Sequence, residues 1–246
     1  MNTIERIEYI TKWITEYVKQ ISKQPICLVV GVSGGIDSAV TSTLCARTNL
    51  KTIVVSMPRK QNIEQHSLSL NHLDFLKENF NNVSSYIIDL NETFLSFKNT
   101  MNEFDNDLAF ANTRSRLRMV TLYQVAQSNN GLVVGTGNKV EDFGIGFYTK
   151  YGDGGVDISP IADCTKSQVW EMGKHLKILN KIIEAKPTDG LWDDNRNDED
   201  QIGLTYSQIE EAMINKNSKY YEKYKKIREP NLHKMNPIPI CKFDDN

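Results

Sequence analysis

Ile4, Ile7, Trp13, Ile14, Tyr17, Val18 and Ile21 recur at helical spacing, which predicts an amphipathic helix over residues 3–22. It precedes the first strand, so its apolar face is expected to pack on the sheet or on a partner subunit, with core packing favoured. A run rich in β-branched residues, Ile26 to Val32, then predicts a buried strand. The alternation continues with helix 37–47, strand 52–57, helix 62–79 and strand 84–89. Helical stretches around 91–101 and 106–128 follow, then strand 131–135. Strands alternating with helices predict an α/β fold: a parallel sheet flanked by helices on both faces. Such a sheet takes ligands at the carboxyl ends of its strands, where Ser33, Arg59 and Thr136 fall.

The pattern changes from residue 144. Residues 144–160 are glycine-rich, 165–179 read as a helix, and 186–203 are acidic and turn-prone. Two short helices (206–215 and 218–228) and a proline-punctuated tail complete the chain, and no internal repeat is visible. The expectation is a single domain over 1–246: the N-terminal helix, an α/β core over 26–160, and a helical region over 161–246 with a mobile loop at 186–203. The run Asp193 to Asp200 has almost no apolar content, so it is expected as a solvated loop, or as one that orders over a bound substrate.

Composition narrows the class. A chain of 246 residues can bury a sizeable core. With 29 basic and 31 acidic residues and a formal net charge of −2, no bulk charge drives it toward nucleic acid. No apolar run approaches membrane-spanning length, and the N-terminus lacks a signal peptide's apolar core, so a cytoplasmic enzyme is expected. Cys27, Cys45, Cys164 and Cys241 form no Cys-x-x-Cys pair, which argues against zinc binding and dithiol redox chemistry. Cys27 falls in a strand pattern and Cys45 in a helix pattern, so both read as core residues.

The candidate chemistry begins where the first strand ends. Gly31-Val32-Ser33-Gly34-Gly35-Ile36-Asp37-Ser38 turns from strand to helix, leaving backbone N–H groups at a helix N-terminus where two glycines admit a close ligand. That arrangement suits phosphate. Ser33 and Ser38 supply hydroxyl donors, and Asp37 is placed where a magnesium ion could bridge. The plainer reading is a tight turn with Asp37 capping the helix. The loop is not a Walker A sequence, since no Gly-Lys-Ser/Thr follows, and it lacks the third glycine of a dinucleotide fingerprint.

A second strand-to-loop junction, Gly135-Thr136-Gly137-Asn138-Lys139-Val140-Glu141-Asp142, falls at the same sheet edge. Glu141 or Asp142 offers a second carboxylate that, with Asp37, would give Mg²⁺ its preferred oxygen ligands, ATP phosphates completing the shell. Spacing alone leaves that reading level with two first-turn acids of a short helix. Thr149 to Asp157 packs three glycines, two aspartates and a lysine into nine residues, as a loop wrapped on a polar ligand would. In Asn112 to Met119, Arg114 and Arg118 share a helix face and Arg116 points elsewhere, with a surface salt bridge the default for each.

These residues resemble the ammonia-dependent NAD synthetases over most of the chain. Ser33 to Ser38 resembles the pyrophosphatase-type loop of the ATP-dependent adenylating superfamily, while Lys150-Tyr151-Gly152-Asp153-Gly154-Gly155 is close to specific for NAD synthetases. Asn112 to Met119, Gly135 to Glu141, Pro187-Thr188, Ile202 to Tyr206 and His233-Lys234 match further family positions. The resemblance implies a Rossmann-like fold of the adenine-nucleotide alpha-hydrolase type with a helical C-terminal part. It implies the last step of NAD⁺ biosynthesis: ATP adenylates the nicotinate carboxylate of deamido-NAD⁺, releasing pyrophosphate, and ammonia displaces AMP.

By the same resemblance, residues 31–38 (Gly31, Val32, Ser33, Gly34, Gly35, Ile36, Asp37 and Ser38) hold ATP, with Thr136, Lys166 and Thr188. Asp37 and Glu141 bind Mg²⁺. Arg116, Lys150, Asp157, His233 and Lys234 contact deamido-NAD⁺, and Asp153 orients or deprotonates ammonium. A homodimer is implied, with the substrate sites completed between its subunits. Between Thr136 and Lys150 the chain is a residue longer than some members, so Glu141 and Asp142 compete; the distance from Thr136 favours Glu141. No room is seen for a glutaminase domain, so free ammonia is the expected donor. The rivals are a GMP-synthetase-like amidase, a tRNA-thiolating enzyme and a non-enzymatic nucleotide-binding module. Cysteine positions and charge balance argue against thiolation, and a binding module has no need of the second carboxylate loop.

Overall fold

Asn2 opens the first helix, α1 (Thr3–Gln20): its side chain accepts from the Glu5 amide while the Glu5 carboxylate accepts from the Asn2 amide. In this computed structural model, which describes residues 1–21, 23–25, 27–58, 63–192 and 196–243, the α1 stripe Ile7, Ile10, Ile14 and Val18 is buried in the main core. Ile26, Arg59 and Asp193 to Asn195 lie outside the described residues.

The α/β alternation runs β1 (Cys27–Gly31), α2 (Ile36–Arg47), β2 (Lys51–Ser56), α3 (Ile63–Asn79), β3 (Val83–Ile87), α4 (Asn91–Thr100), α5 (Asp107–Ser128) and β4 (Gly131–Val134). A π-helical turn, Lys139–Ile145, precedes α6 (Lys166–His175) and α7 (Asn180–Ile183). Then come α8 (Asp198–Ile202), α9 (Tyr206–Ile214), α10 (Tyr221–Arg228) and α11 (Leu232–Met235). The predicted elements stand within a few residues of these bounds. The helix expected over 165–179 stops at His175, because the chain turns through Lys177 at φ +57° before α7 begins. The helix expected from 218 starts at Tyr221, after a turn closed by Ser218 Oγ accepting from the Tyr220 amide.

The four strands are parallel in the order β3-β2-β1-β4. Side chains alternate between the faces. Leu28, Val30 and Val134 point into a core built with α1, α2 and α6, and Val54 meets Leu73 and Leu76 of α3. Val29, Ile53, Val55 and Val133 face Met119, Leu122 and Ala126 of α5. Helices thus cover both faces, as the alternation predicts. A separate cluster, with Val140, Ile145, Ile202, Tyr206, Ile209 and Tyr224, packs the π-helical turn against α8, α9 and α10.

The strand order decides where a ligand can enter. From β1 the chain steps outward to β2 and β3, then returns to place β4 on the other side of β1. The carboxyl ends of β1 and β4 therefore flank a crevice at the topological switch point, where the Ser33 and Thr136 loops emerge. No helix among the described residues is long and apolar enough to cross a membrane.

Candidate active site

The Ser33–Ser38 turn braces itself. The Gly35 amide donates to Ser33 Oγ (3.2 Å), the Ser33 amide to Ser38 Oγ (3.2 Å), and Ser38 Oγ to the Gly35 carbonyl (2.9 Å). The first amides of α2 have no preceding helical carbonyl to bond, so they stay available to an anion. Gly34 sits at φ +93°, and a Cβ there would lie 2.5 Å from the Gln65 carbonyl oxygen, so only glycine lets the turn nest on α3.

This turn lines a cavity of about 240 Å³. Gly31, Val32, Ser33, Gly35, Ile36, Asp37, Ser38, Thr136, Lys166 and Thr188 all line it; Gly34 is turned against α3. Glu141, Asp142 and Asp153 line it too, together with Lys186 and Asp198.

At its wall a lysine is clasped by two carboxylates. Lys166 Nζ lies 2.6 Å from Asp37 Oδ2 and 2.9 Å from Glu141 Oε1. Asn138 Nδ2 donates to the other Asp37 oxygen at 3.0 Å. The Lys166 side chain is only 2% exposed, whereas those of Asp37 and Glu141 are 18% and 17% exposed. The ammonium thus sits behind the carboxylates, which keep an open side. Burial disfavours the Lys166 charge, yet Asp37 and Glu141 together outweigh it and raise its pKa. Burial raises Asp37 despite Lys166; for Glu141 the Lys166 charge and the Tyr206 and Lys166 hydrogen bonds outweigh burial, and its pKa falls.

Asn138 caps the π-helical turn by accepting from the Val140 and Glu141 amides. Both acids lie in its first turn, and they part company there. Glu141 reaches Lys166, while Asp142 is tucked under Gly137, whose missing Cβ would collide with the Asp142 carboxylate. Burial, then the charges of Glu141, Asp153 and Asp37, pushes the Asp142 carboxyl well above its usual range. Asp153 is an exposed residue whose carboxyl is nonetheless closely surrounded: Oδ1 accepts from Ser115 Oγ (2.7 Å) and the Thr149 amide (3.0 Å). Burial raises its pKa against those bonds.

Acidic groups thus outnumber Lys166 along this wall, and the surplus charge suits a hard cation. No cluster of three or more potential protein ligands exists among the described residues. Two open carboxylates beside a phosphate site fit Mg²⁺, which is commonly held by one or two carboxylates plus substrate phosphates.

The deamido-NAD⁺ residues implied by the resemblance do not line this cavity. Arg116 Nε donates to the Lys150 carbonyl at 3.2 Å. Asp157 accepts from the Val133 amide (2.7 Å) and the Tyr123 hydroxyl (3.0 Å), extending the edge of β4. Lys234 donates to the Gly146 (2.6 Å) and Tyr148 (2.9 Å) carbonyls, and His233 is exposed beside it. Arg114 and Arg118 share a face, but both donate to backbone: Arg114 to Leu191 O at 2.6 Å and Arg118 to Gly190 O at 3.5 Å. Each of the three arginines thus binds a backbone carbonyl of the 150 or 190 loop, which ties α5 to those loops.

The structure also corrects the reading of the acidic run. Asp198 is 4% exposed and lines the cavity as the first residue of α8; its amide donates to Pro187 O at 3.0 Å. Tyr206, missed in the sequence because a tyrosine in an apolar helix pattern reads as core, donates to Glu141 Oε1 at 2.6 Å and lies 3.0 Å from Asp198 Oδ2.

Residues 6–238 match the family described as NAD synthase. The chain is 36% identical over 239 residues to the NH(3)-dependent NAD(+) synthetase of Mesoplasma florum, covering 96% of this chain and 93% of that protein. Among solved structures it resembles NMN synthetase from Francisella tularensis with TM-score 0.90 at 30% identity, over 99% of this chain and 100% of the other. It also resembles NH3-dependent NAD synthetase from Campylobacter jejuni, solved with a nitrate ion, with TM-score 0.79 at 26% identity, over 98% and 100%.

Proposed function

The chain belongs to the NAD synthase family, and from that premise we propose how its residues divide the work. It is a ligase that amidates deamido-NAD⁺ with ammonia to give NAD⁺, the last step of NAD⁺ biosynthesis, with ATP as co-substrate. A nicotinate carboxylate oxygen attacks the α-phosphorus of ATP, and the bond to pyrophosphate breaks. The lone pair of ammonia then adds to the acyl carbon, AMP leaves with the C–O bonding pair, and a nitrogen proton is lost.

Gly31 to Ser38, Thr136, Lys166 and Thr188 form the ATP site, Gly34 by shaping the turn and the others by lining the cavity. The observation that carries this reading is the Asp37–Lys166–Glu141 clasp standing directly beside the Ser33–Ser38 turn. Asp37 and Glu141 would hold Mg²⁺, which would neutralise phosphate charge. Loop amides and the Lys166 charge oppose the charge that builds at the transferred phosphorus. Asp153, on the same wall, orients ammonium or takes its proton; its raised pKa brings it nearer the range of a working base.

Arg116, Lys150, Asp157, His233 and Lys234 contact the acceptor dinucleotide outside the ATP cavity, and a homodimer completes that site. Its support is that none of these residues lines the ATP cavity, together with exposed apolar side chains on and beside α5: Phe104, Leu108 and Val120. The enzyme works in the cytoplasm as one domain.

A second reading concerns acceptor length. The Francisella neighbour is named an NMN synthetase, so nicotinate mononucleotide is the second acceptor to test. Both acceptors present the same nicotinate carboxylate, so the site chemistry is unchanged. One assay tests both readings: ATP, Mg²⁺ and ammonium with each acceptor, measuring AMP, the amide product and kcat/KM. ADP as product, or amination of xanthosine monophosphate instead, overturns the assignment. The kcat/KM ratio decides the acceptor. Asp37→Asn is expected to abolish turnover in a folded protein, and near-normal turnover would remove the metal role.

A further inference from the structure

We infer that Tyr206 and Asp198 are positioning residues for Glu141: Asp198, held as the neutral acid, donates to the Tyr206 oxygen and so commits the single phenolic proton to Glu141. The inference rests on the reading of Asp37 and Glu141 as the reaction-centre carboxylates.

Tyr206 Oη lies 2.6 Å from Glu141 Oε1 and 3.0 Å from Asp198 Oδ2, and a phenol has one proton to give. Glu141 also accepts from Lys166 at 2.9 Å, so it is the ionised partner and takes the shorter bond. Two lone pairs would then face each other across the 3.0 Å contact unless Asp198 carries a proton. Burial agrees. Asp198 is 4% exposed and its Oδ1 is buried without a hydrogen-bond partner among the described residues. An ionised carboxylate placed so would be unpaired, whereas a neutral acid leaves only one weak acceptor unsatisfied. Burial, then the Glu141 charge, shifts Asp198 upward against the pull of Lys166, in the direction of the neutral acid.

The surroundings hold this chain in place. Tyr206 is 1% exposed, its ring meets Trp170 edge-on at 5.9 Å, and Lys166 Nζ sits 4.6 Å from the ring centroid. Through its amide, Asp198 also holds Pro187 O, in the segment that brings Lys186 and Thr188 to the cavity wall. One residue thus joins the ATP-facing segment to the orientation of Glu141.

The test uses the full chain with ATP, deamido-NAD⁺ and ammonium, and the variants Y206F, D198N, D198L and Y206F/D198L. Y206F and D198L are each expected to lose about ten- to fiftyfold in kcat, with KM for ATP within about threefold of wild type. D198N, whose amide still donates to the phenol oxygen, recovers most of the D198L loss. The double variant loses no more than Y206F, because Asp198 acts through Tyr206. Multiplying losses in the double variant, D198N as impaired as D198L, or effects confined to KM overturn the proposal. If thermal melts show D198L unfolded, D198N decides alone: kcat nearer wild type than Y206F supports it, and kcat at or below Y206F overturns it. E141Q separates the premises. If E141Q is inactive while Y206F is normal, only the positioning role falls; if E141Q retains full turnover, the reading of the centre falls with it.

Discussion

Lys166 donates to Asp37 across 2.6 Å although 129 residues separate them in the chain. The contact closes the first βα turn against the N-terminus of α6, and Glu141 completes it from the π-helical turn. A cation buried between two carboxylates stabilises only while all three remain, since deleting one leaves uncompensated charge.

Lys166→Met is therefore expected to destabilise the fold by about 3–5 kcal/mol, read from urea denaturation midpoints at constant m-value. A change below about 1 kcal/mol would mean that water entering through the cavity solvates both carboxylates.

Gly34→Ala strikes the turn itself. The φ of +93° and the 2.5 Å approach to Gln65 O require a backbone shift, which costs about 1–3 kcal/mol. ATP affinity, measured by calorimetry, should fall with stability; unaltered binding would place the phosphates elsewhere.

Arg114 fastens the 190 loop by its bond to Leu191 O and by stacking over the Phe94 ring at 4.3 Å. Losing both is worth about 1–2 kcal/mol, so Arg114→Ala should raise KM for ATP roughly five- to twentyfold with kcat little changed. A loss confined to kcat would give Arg114 a different role.

His72 sets a pH limit on stability. The Ser42 hydroxyl donates to Ser38 O at 2.7 Å, so His72 Nε2, 3.0 Å away, must donate to Ser42, leaving Nδ1 bare and buried. Burial lowers the His72 pKa to about 4 from 6.5. The folded state binds fewer protons than the unfolded one in that window, so the stability contribution is complete above pH 6.5 and is lost as pH falls towards 4. The loss is about 3 kcal/mol. Denaturation of wild type and His72→Gln across that range should show a shallower slope for the variant; parallel slopes would clear His72.

The fold is legible because its signals are local. Ile26 to Val32 and Leu132 to Val134 carry strand patterning, and two glycines after the first run mark the turn. Ser33–Ser38 and Glu141 are legible as site residues for the same reason, helped by the family resemblance. What stays hidden is pairing across the chain. Nothing in the spacing tells that Lys166 lies between Asp37 and Glu141, or that Asp142 turns under Gly137. Asp198 is hidden differently: it sits in an acidic, turn-prone run, and only the approach of α9 buries it against Tyr206. The π-helical turn has no periodic signature at all in seven residues.

The order of the strands also has a meaning in time. Asp37 belongs to the first βα unit to leave the ribosome, but Lys166 and then Tyr206 are synthesised far later. A nascent chain that has made only the sheet therefore holds Asp37 but lacks Glu141, the ammonium and the phenol. The clasp matures only when the C-terminal third docks, the kind of sequence-distant closure that comes late in folding.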